Sequence, residues 1–188
     1  MTAVLRAAAR QQLASYLQRH PGDVGRLAAL QRQFDEDEGD LFSRSNMRGH
    51  ITTSAFVLDP GLQQILMIHH RTLQRWLQPG GHHEPGQTLW ESAVREATEE
   101  TGVATLSAHP HVGSNLPLDI DSHAIPANVQ KGEAAHWHHD YAYLMIAPLD
   151  AVLRPQLDEV SGVAWRRLDE LADEARFRAL ALKLAAFC

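Results

Sequence analysis

Residues 81–103 read GHHEPGQTLWESAVREATEETGV, and within them REATEETG, residues 95–102, sets three glutamates and an arginine on consecutive helical turns. Like charges three or four residues apart on a helix repel. A positive group should therefore sit over Glu96, Glu99 and Glu100, and a hard divalent cation has the matching charge and oxygen preference. At about 100° per residue, with Leu89 as zero, Glu99 falls at about 280°, Glu96 at about 340° and Glu100 at about 20°. The three carboxylates share one stripe. Leu89, Trp90, Ala93, Val94 and Ala97 fill the adjoining arc and should face the core. Glu100 lies at the edge of that arc and needs a partner there, because an unpaired buried charge is costly. Arg95, four residues before Glu99, can pair with it.

The helix is marked at both ends. Pro85 and Gly86 break what precedes it, Thr88 and Glu91 have the spacing of a capping box, and Gly102 stands where a left-handed cap belongs. Pro79-Gly80-Gly81 makes a loop whose backbone can approach a ligand closely. An amphipathic surface helix with solvated glutamates accounts for neither the glycines nor the two charged doublets at these offsets.

The segment resembles a Nudix box, in which a glycine, a glutamate, an Arg-Glu doublet, a Glu-Glu doublet and a closing glycine recur at fixed spacing. Gly81, Arg95, Glu96, Ala97, Glu99, Glu100, Gly102 and Val103 fall in register, while Gln87 stands where the pattern has its first glutamate. Weaker similarity to a subset of Nudix proteins extends to WLQPGGHHEPG, DIDSHAIP and HWHHDYAYL. The resemblance implies a Nudix-like α/β/α sandwich with a mixed β-sheet and an N-terminal helical extension, divided as residues 1–42 and 43–188. It also implies hydrolysis of a nucleoside diphosphate linked to another group, with Mg²⁺ or Mn²⁺ held by Glu96, Glu99, Glu100 and the Gly81 carbonyl and with Arg95 orienting the carboxylates. Glu96, or a residue outside the box, serves as base.

The rest of the chain bounds this reading. Its 188 residues fit one domain with an appendage, and 44% hydrophobic with 21% charged residues is an ordinary globular balance. A net charge of −6 argues against a nucleic-acid polymer as partner, since phosphate backbones are bound by dense Lys and Arg; a small phosphorylated substrate remains compatible. The single cysteine, Cys188, allows no intrachain disulfide and fits a reducing, cytoplasmic setting. No apolar run reaches the length of a membrane span. A homodimer is compatible with the sequence, which leaves oligomeric state open.

Residues 3–34 suggest two helices split by Pro21-Gly22, the first with Leu5, Leu13 and Leu17 on one face, the second capped by Asp23 with Leu27, Leu30 and Phe34 inward. DEDEGD, residues 35–40, reads as a solvated acidic hinge. HITTSAFVLD (50–59) and QQILMIHH (63–70) read as a hairpin about the turn Asp59-Pro60-Gly61. Further strands are expected within 105–120 and 136–147 and at GVAWRRL (162–168), then a helix from Asp169 with Leu171, Leu180 and Leu184 apolar.

His136, His138 and Asp140 recur at period two and share one face of a strand; Asp119, Asp121 and His123 repeat the spacing. If the two segments meet, they form a wall of imidazole and carboxylate suited to a transition metal such as Mn²⁺ or Zn²⁺. His136, His138, Asp140 and the loop residue Glu84 are therefore candidates for substrate or a second metal. His82 and His83 either touch substrate or line a loop, and Arg44 and Arg48 read as ordinary surface arginines. No nucleophile motif or Walker loop is present. Two competing readings remain. A Nudix fold with Gln87 in the box can bind a nucleotide-like ligand without cleaving it, as a sensor or scaffold; the intact doublets favour an enzyme. A His-rich zinc protein without nucleotide chemistry lacks a Cys-rich or His-x₃-His ligand set.

Overall fold

Strand β1, Gly49–Leu58, is buried along its whole length, as its β-branched and apolar run requires of a strand covered on both faces. The computed structural model describes residues 2–110, 112–156, 158, 160–171 and 174–185, so Cys188 lies outside the described residues. Around β1 stand β2 (Gln64–His70), β3 (Arg75–Leu77), β4 (Gly80–His82), β5 (Ser107–Ala108), β6 (Asp119–Ile125), β7 (His136–Ile146) and β8 (Val160–Arg167). Their main path runs β3-β2-β1-β7-β5, with β4 on β1, β6 on β7 and β8 on β2. β1 and β7 pair in parallel from Gly49↔Trp137 to Leu58↔Ile146, and the other pairings are antiparallel.

Strand alternation sorts the side chains into two layers. Ile51, Ala55 and Val57 of β1 and Tyr141, Tyr143 and Met145 of β7 meet helices α1 (Thr2–Arg19), α2 (Ala28–Glu36) and α3 (Leu89–Thr101). Phe56, Leu58, Ala142 and Leu144 meet Phe177, Leu180 and Leu184 of α4 (Ala175–Leu184) on the other face. The result is the expected α/β/α sandwich about a mixed sheet.

The first two helices share the main core. Ala9, Leu13 and Tyr16 of α1 form one buried stripe, with Leu5 and Leu17 partly buried beside it, and Leu27, Leu30 and Phe34 are buried as anticipated. Polar tethers add to the packing: the Tyr141 hydroxyl donates to Ala9 O at 3.1 Å and the Tyr143 hydroxyl to Gln12 Oε1 at 2.7 Å, each contributing on the order of 1 kcal/mol.

Several expectations need correcting. Asp23 does not cap α2, whose N-cap is Leu27 without a side-chain bond; its carboxylate is taken by the Tyr16 hydroxyl and by Arg26. The acidic stretch 35–40 is exposed except at Asp37, as a solvated segment should be, but it is tethered there: Asp37 accepts from Gln33 Nε2 at 2.8 Å and Asn46 Nδ2 at 2.9 Å while Arg6 reaches the carbonyls of Phe34 and Asp37. The described residues of 105–120 hold only β5 and the first residues of β6, since Pro110 and Pro117 interrupt the run. The helix expected from Asp169 starts later: Asp169–Leu171 is a 3-10 turn and α4 begins at Ala175. Gly80 and Gly81 lie in a short strand, β4, rather than a free loop.

Candidate active site

The box helix α3 forms for the reasons its sequence states. Glu91 N–H donates to Thr88 Oγ1 at 3.2 Å and Thr88 N–H to Glu91 Oε2 at 2.8 Å, which closes the capping box. Gly102 ends the helix at φ 74°, a conformation that costs a glycine little. Leu89, Ala93 and Ala97 are buried. Ser92 is buried on the same side, where its hydroxyl accepts from Thr53 Oγ1 at 3.1 Å and ties α3 to β1.

Arg95 is the hub of the carboxylate stripe. Its guanidinium donates to Glu96 Oε1 and Glu99 Oε2, each at 2.8 Å, and to the His82 carbonyl at 2.9 Å, and Glu84 lies 3.7 Å away. Burial disfavours charge on Arg95, but Glu96, Glu99 and Glu84 outweigh it and raise its pKa. Glu100 is 6% exposed and has the partner its position demands: Gly80 N–H donates to Oε2 at 2.8 Å. Gln87 is engaged as well, its Oε1 accepting from Arg95 Nε at 3.3 Å. Gly81 faces this group so closely that a Cβ there would lie 2.5 Å from Glu96 Oε1, and Glu96 cannot yield without leaving Arg95.

These residues line one cleft of about 790 Å³ that also takes in Glu84, His83, Phe42, Arg44 and, from α1, Val4, Leu5 and Ala8. Its two walls differ in chemistry. One is acidic, with Glu84, Glu96, Glu99 and Glu100 against the single guanidinium of Arg95. The other is largely apolar, with Arg44 at its edge. An oxygen-rich group carrying more negative charge than its one arginine can neutralise fits a hard divalent ion, so the donor set agrees with Mg²⁺ or Mn²⁺. The sequence reading missed the α1 wall, because only packing brings that helix to the box.

His136, His138 and Asp140 are not brought to this cleft. Gly81 pairs with Thr53 and turns toward Glu96, so its neighbour His82, paired with Thr52, points to the opposite sheet face. There His50 and Thr52 pair with His138 and Asp140, and β6 brings His123 opposite His138 and Asp121 opposite Asp140. The two segments thus meet as supposed, but across the sheet from the glutamates. Asp140 is held by Thr52 Oγ1 at 3.1 Å and Ser54 Oγ at 2.6 Å. Asp119 accepts from Tyr16, Arg26 and Lys183, and Asp121 from Arg26 and His123. Cations and hydroxyls take the carboxylates and leave imidazoles in the middle. The two loop histidines part company: His82 packs its ring 5.1 Å from that of His50, while His83 lies 5.2 Å from Phe42 and bonds Gln87 O at 3.0 Å. Arg48 pairs with Glu36, and Arg44, 3.7 Å from Glu133, lines the cleft.

Comparison with known proteins places the chain in a family. A profile of the NUDIX domain matches residues 48–185. A putative 8-oxo-dGTP diphosphatase of Bacillus subtilis (strain 168) is 37% identical over 73 residues, 38% of this chain and 49% of that protein. A probable DHNTP pyrophosphohydrolase of Lactococcus lactis subsp. cremoris (strain MG1363) is 32% identical over 106 residues, 56% of this chain and 59% of that one. The matches thus span about half the length of these relatives. The crystal structure of an Ap4A hydrolase from C. elegans superposes with a TM-score of 0.53 at 18% identity, covering 73% of this chain and 96% of that one, a likeness of fold.

Proposed function

This chain belongs to the Nudix family, and from that premise we propose that it is a divalent-metal-dependent hydrolase acting on the pyrophosphate bond of a nucleoside diphosphate linked to another group. The observation that carries the proposal is the cleft itself, where Glu96, Glu99 and Glu100 are oriented by Arg95 and Gly80 beside a glycine that leaves them room. The names of the two bacterial relatives, a diphosphatase and a pyrophosphohydrolase, support a bond between phosphoryl groups as the target. A bound Mg²⁺ or Mn²⁺ supplies neutralisation of the diphosphate and a water of lowered pKa.

The chain's own groups do the rest. Arg95 fixes two carboxylates in the orientation an ion needs, and the half-buried Gly80 N–H does the same for Glu100. The apolar wall of Val4, Leu5, Ala8 and Phe42 takes the part of the substrate that carries no phosphate, and Arg44 meets an anionic oxygen. Glu96 and Glu84 are the two carboxylates that can accept the proton of the attacking water. Glu96 is held by Arg95 at 2.8 Å, while Glu84 is 62% exposed on the loop. Loss of the alkaline turnover plateau in Glu84→Gln but not Glu96→Gln would assign the base to Glu84. With a net charge of −6, the partner is a small phosphorylated molecule in a reducing, cytoplasmic setting rather than a nucleic-acid polymer.

The test is a hydrolysis screen over nucleoside diphosphate derivatives with Mg²⁺, Mn²⁺ and Zn²⁺, with products identified by mass. Metal-dependent cleavage between the two phosphoryl groups is expected for at least one substrate. Saturable ligand binding without turnover under any metal would instead make the chain a binding protein.

A further inference from the structure

The face of the sheet opposite the glutamates carries a second group that the hydrolytic reading does not use. His50 of β1 and His136 and His138 of β7 each offer one ring nitrogen, and these nitrogens lie within 4.8 Å of one another. The three rings are packed with centroids 4.7–5.1 Å apart. His50 is 1% exposed and His136 is 6% exposed, so this is an interior arrangement.

Hydrogen bonding fixes which atoms face the centre. His50 Nδ1 lies 3.3 Å from Asn46 O and His136 Nδ1 lies 2.7 Å from Ala134 O. A carbonyl accepts only, so both Nδ1 atoms carry hydrogen and, in neutral rings, both Nε2 atoms present lone pairs. The buried His50 Nε2 has no hydrogen-bond partner, although buried polar atoms are nearly always paired. His136 Nε2 and His138 Nε2 lie 3.2 Å apart, so one proton, carried by His138, separates them when no cation is bound. Burial and the neighbouring imidazoles push His138 down to about 3, toward the neutral form that ligates metal.

We propose that His50, His136 and His138 hold a zinc ion through their Nε2 atoms, clamping β1 to β7 on the same sheet face that carries α4. Three imidazoles suit Zn²⁺ and leave one of its four positions for a further ligand, whereas Mg²⁺ and Mn²⁺ prefer oxygen donors. Asn46 O and Ala134 O are the carbonyls that a ligating histidine ordinarily engages through its other nitrogen. When zinc binds, the His138 proton moves from Nε2 to Nδ1 and no charge on the ring changes. The clamp acts where β1 and β7 pair in parallel, Gly49↔Trp137 and His50↔His138. It is independent of the hydrolytic reading.

The test uses the full chain, stripped with a chelator and titrated with zinc in excess Mg²⁺, which occupies the glutamates. One zinc per chain is expected, with X-ray absorption showing imidazole scattering at the usual Zn–N distance of about 2.0–2.1 Å and with a rise in melting temperature. Binding should persist in the Glu99→Gln/Glu100→Gln double variant and weaken by at least about a hundredfold in His136→Gln. Zinc that is not taken up, that shows oxygen scattering only, or that is lost with the glutamates and kept in His136→Gln would overturn the proposal. Should His136→Gln fail to fold, the absorption spectrum of the zinc-loaded natural chain decides alone.

Discussion

On one face of the sheet three carboxylates pair with Arg95 and a fourth, Glu100, lines the same cleft, and on the other four imidazoles surround that of His138 with ring centroids 4.7–5.8 Å apart. Both are close gatherings of one residue type, yet their electrostatics run in opposite directions. Carboxylates at neutral pH keep their charge, so the first group stays together only with positive partners: Arg95 for Glu96 and Glu99, a backbone N–H for Glu100. Imidazoles can discard theirs. Burial, aided by neighbouring rings, lowers His82 to about 4 and His138 to about 3, so these two rings shed their charge and crowd their neighbours without mutual repulsion. An acidic cluster therefore invites a hard cation to balance charge, whereas a neutral imidazole cluster offers lone pairs to a softer one. The boundary between them is a single peptide step, from Gly81 to His82, whose side-chain directions alternate across β4.

Variants can break that division or sharpen it. The largest effect is expected from Glu100→Gln, which keeps an acceptor for Gly80 N–H but removes charge from the stripe. Turnover should fall by roughly a hundredfold or more, while the melting temperature changes little. Arg95→Ala comes next. It strands Glu96 and Glu99 and frees the His82 carbonyl, so activity should fall about 10- to 100-fold and stability by about 1–3 kcal/mol, read in steady-state kinetics and urea melts. Excess Mn²⁺ should recover part of the activity, because a cation can replace the missing guanidinium charge. Gln87→Glu should act weakly and in the opposite direction. The new carboxylate strengthens the bond to Arg95 Nε, now 3.3 Å long, and adds charge to the acidic wall. The metal concentration for half-maximal turnover should drop about two- to fivefold. The smallest effect is expected from His138→Gln. Its Mg²⁺ dependence of turnover should match that of the natural chain, because the substitution lies across the sheet; a sharply raised Mg²⁺ requirement would join the two faces that strand parity separates.

The carboxylate face was legible in the sequence because its determinants are local. Thr88, Glu91 and Gly102 terminate α3 through bonds spanning a few residues, and helical periodicity alone set Glu96, Glu99 and Glu100 on one stripe. The hairpin of β1 and β2 followed from Asp59-Pro60-Gly61 in the same way; Asp59 accepts the N–H groups of Gly61, Gln63 and Gln64. The imidazole face was only half legible. Period two put His136 and His138 together, but His50 joins them through the parallel pairing of β1 with β7, a contact between segments far apart in the chain that leaves no mark on either. That Asp119 and Asp121 are taken up in ion pairs was hidden for a similar reason. Arg26 and Lys183, which claim them, come from opposite ends of the sequence. The apolar wall of the cleft, Val4, Leu5 and Ala8, was hidden because α1 reaches the box only after docking on Tyr141 and Tyr143.

The most direct test of the carboxylate face as the hydrolytic centre pairs Mn²⁺ binding, followed by loss of the free-ion electron paramagnetic resonance signal, with turnover of a nucleoside diphosphate derivative in the same samples. The natural chain and the Glu99→Gln/Glu100→Gln double variant are compared at equal thermal stability. The account predicts that the double variant loses Mn²⁺ binding and turnover together while remaining folded. A double variant that still turns over its substrate at the natural rate would contradict it.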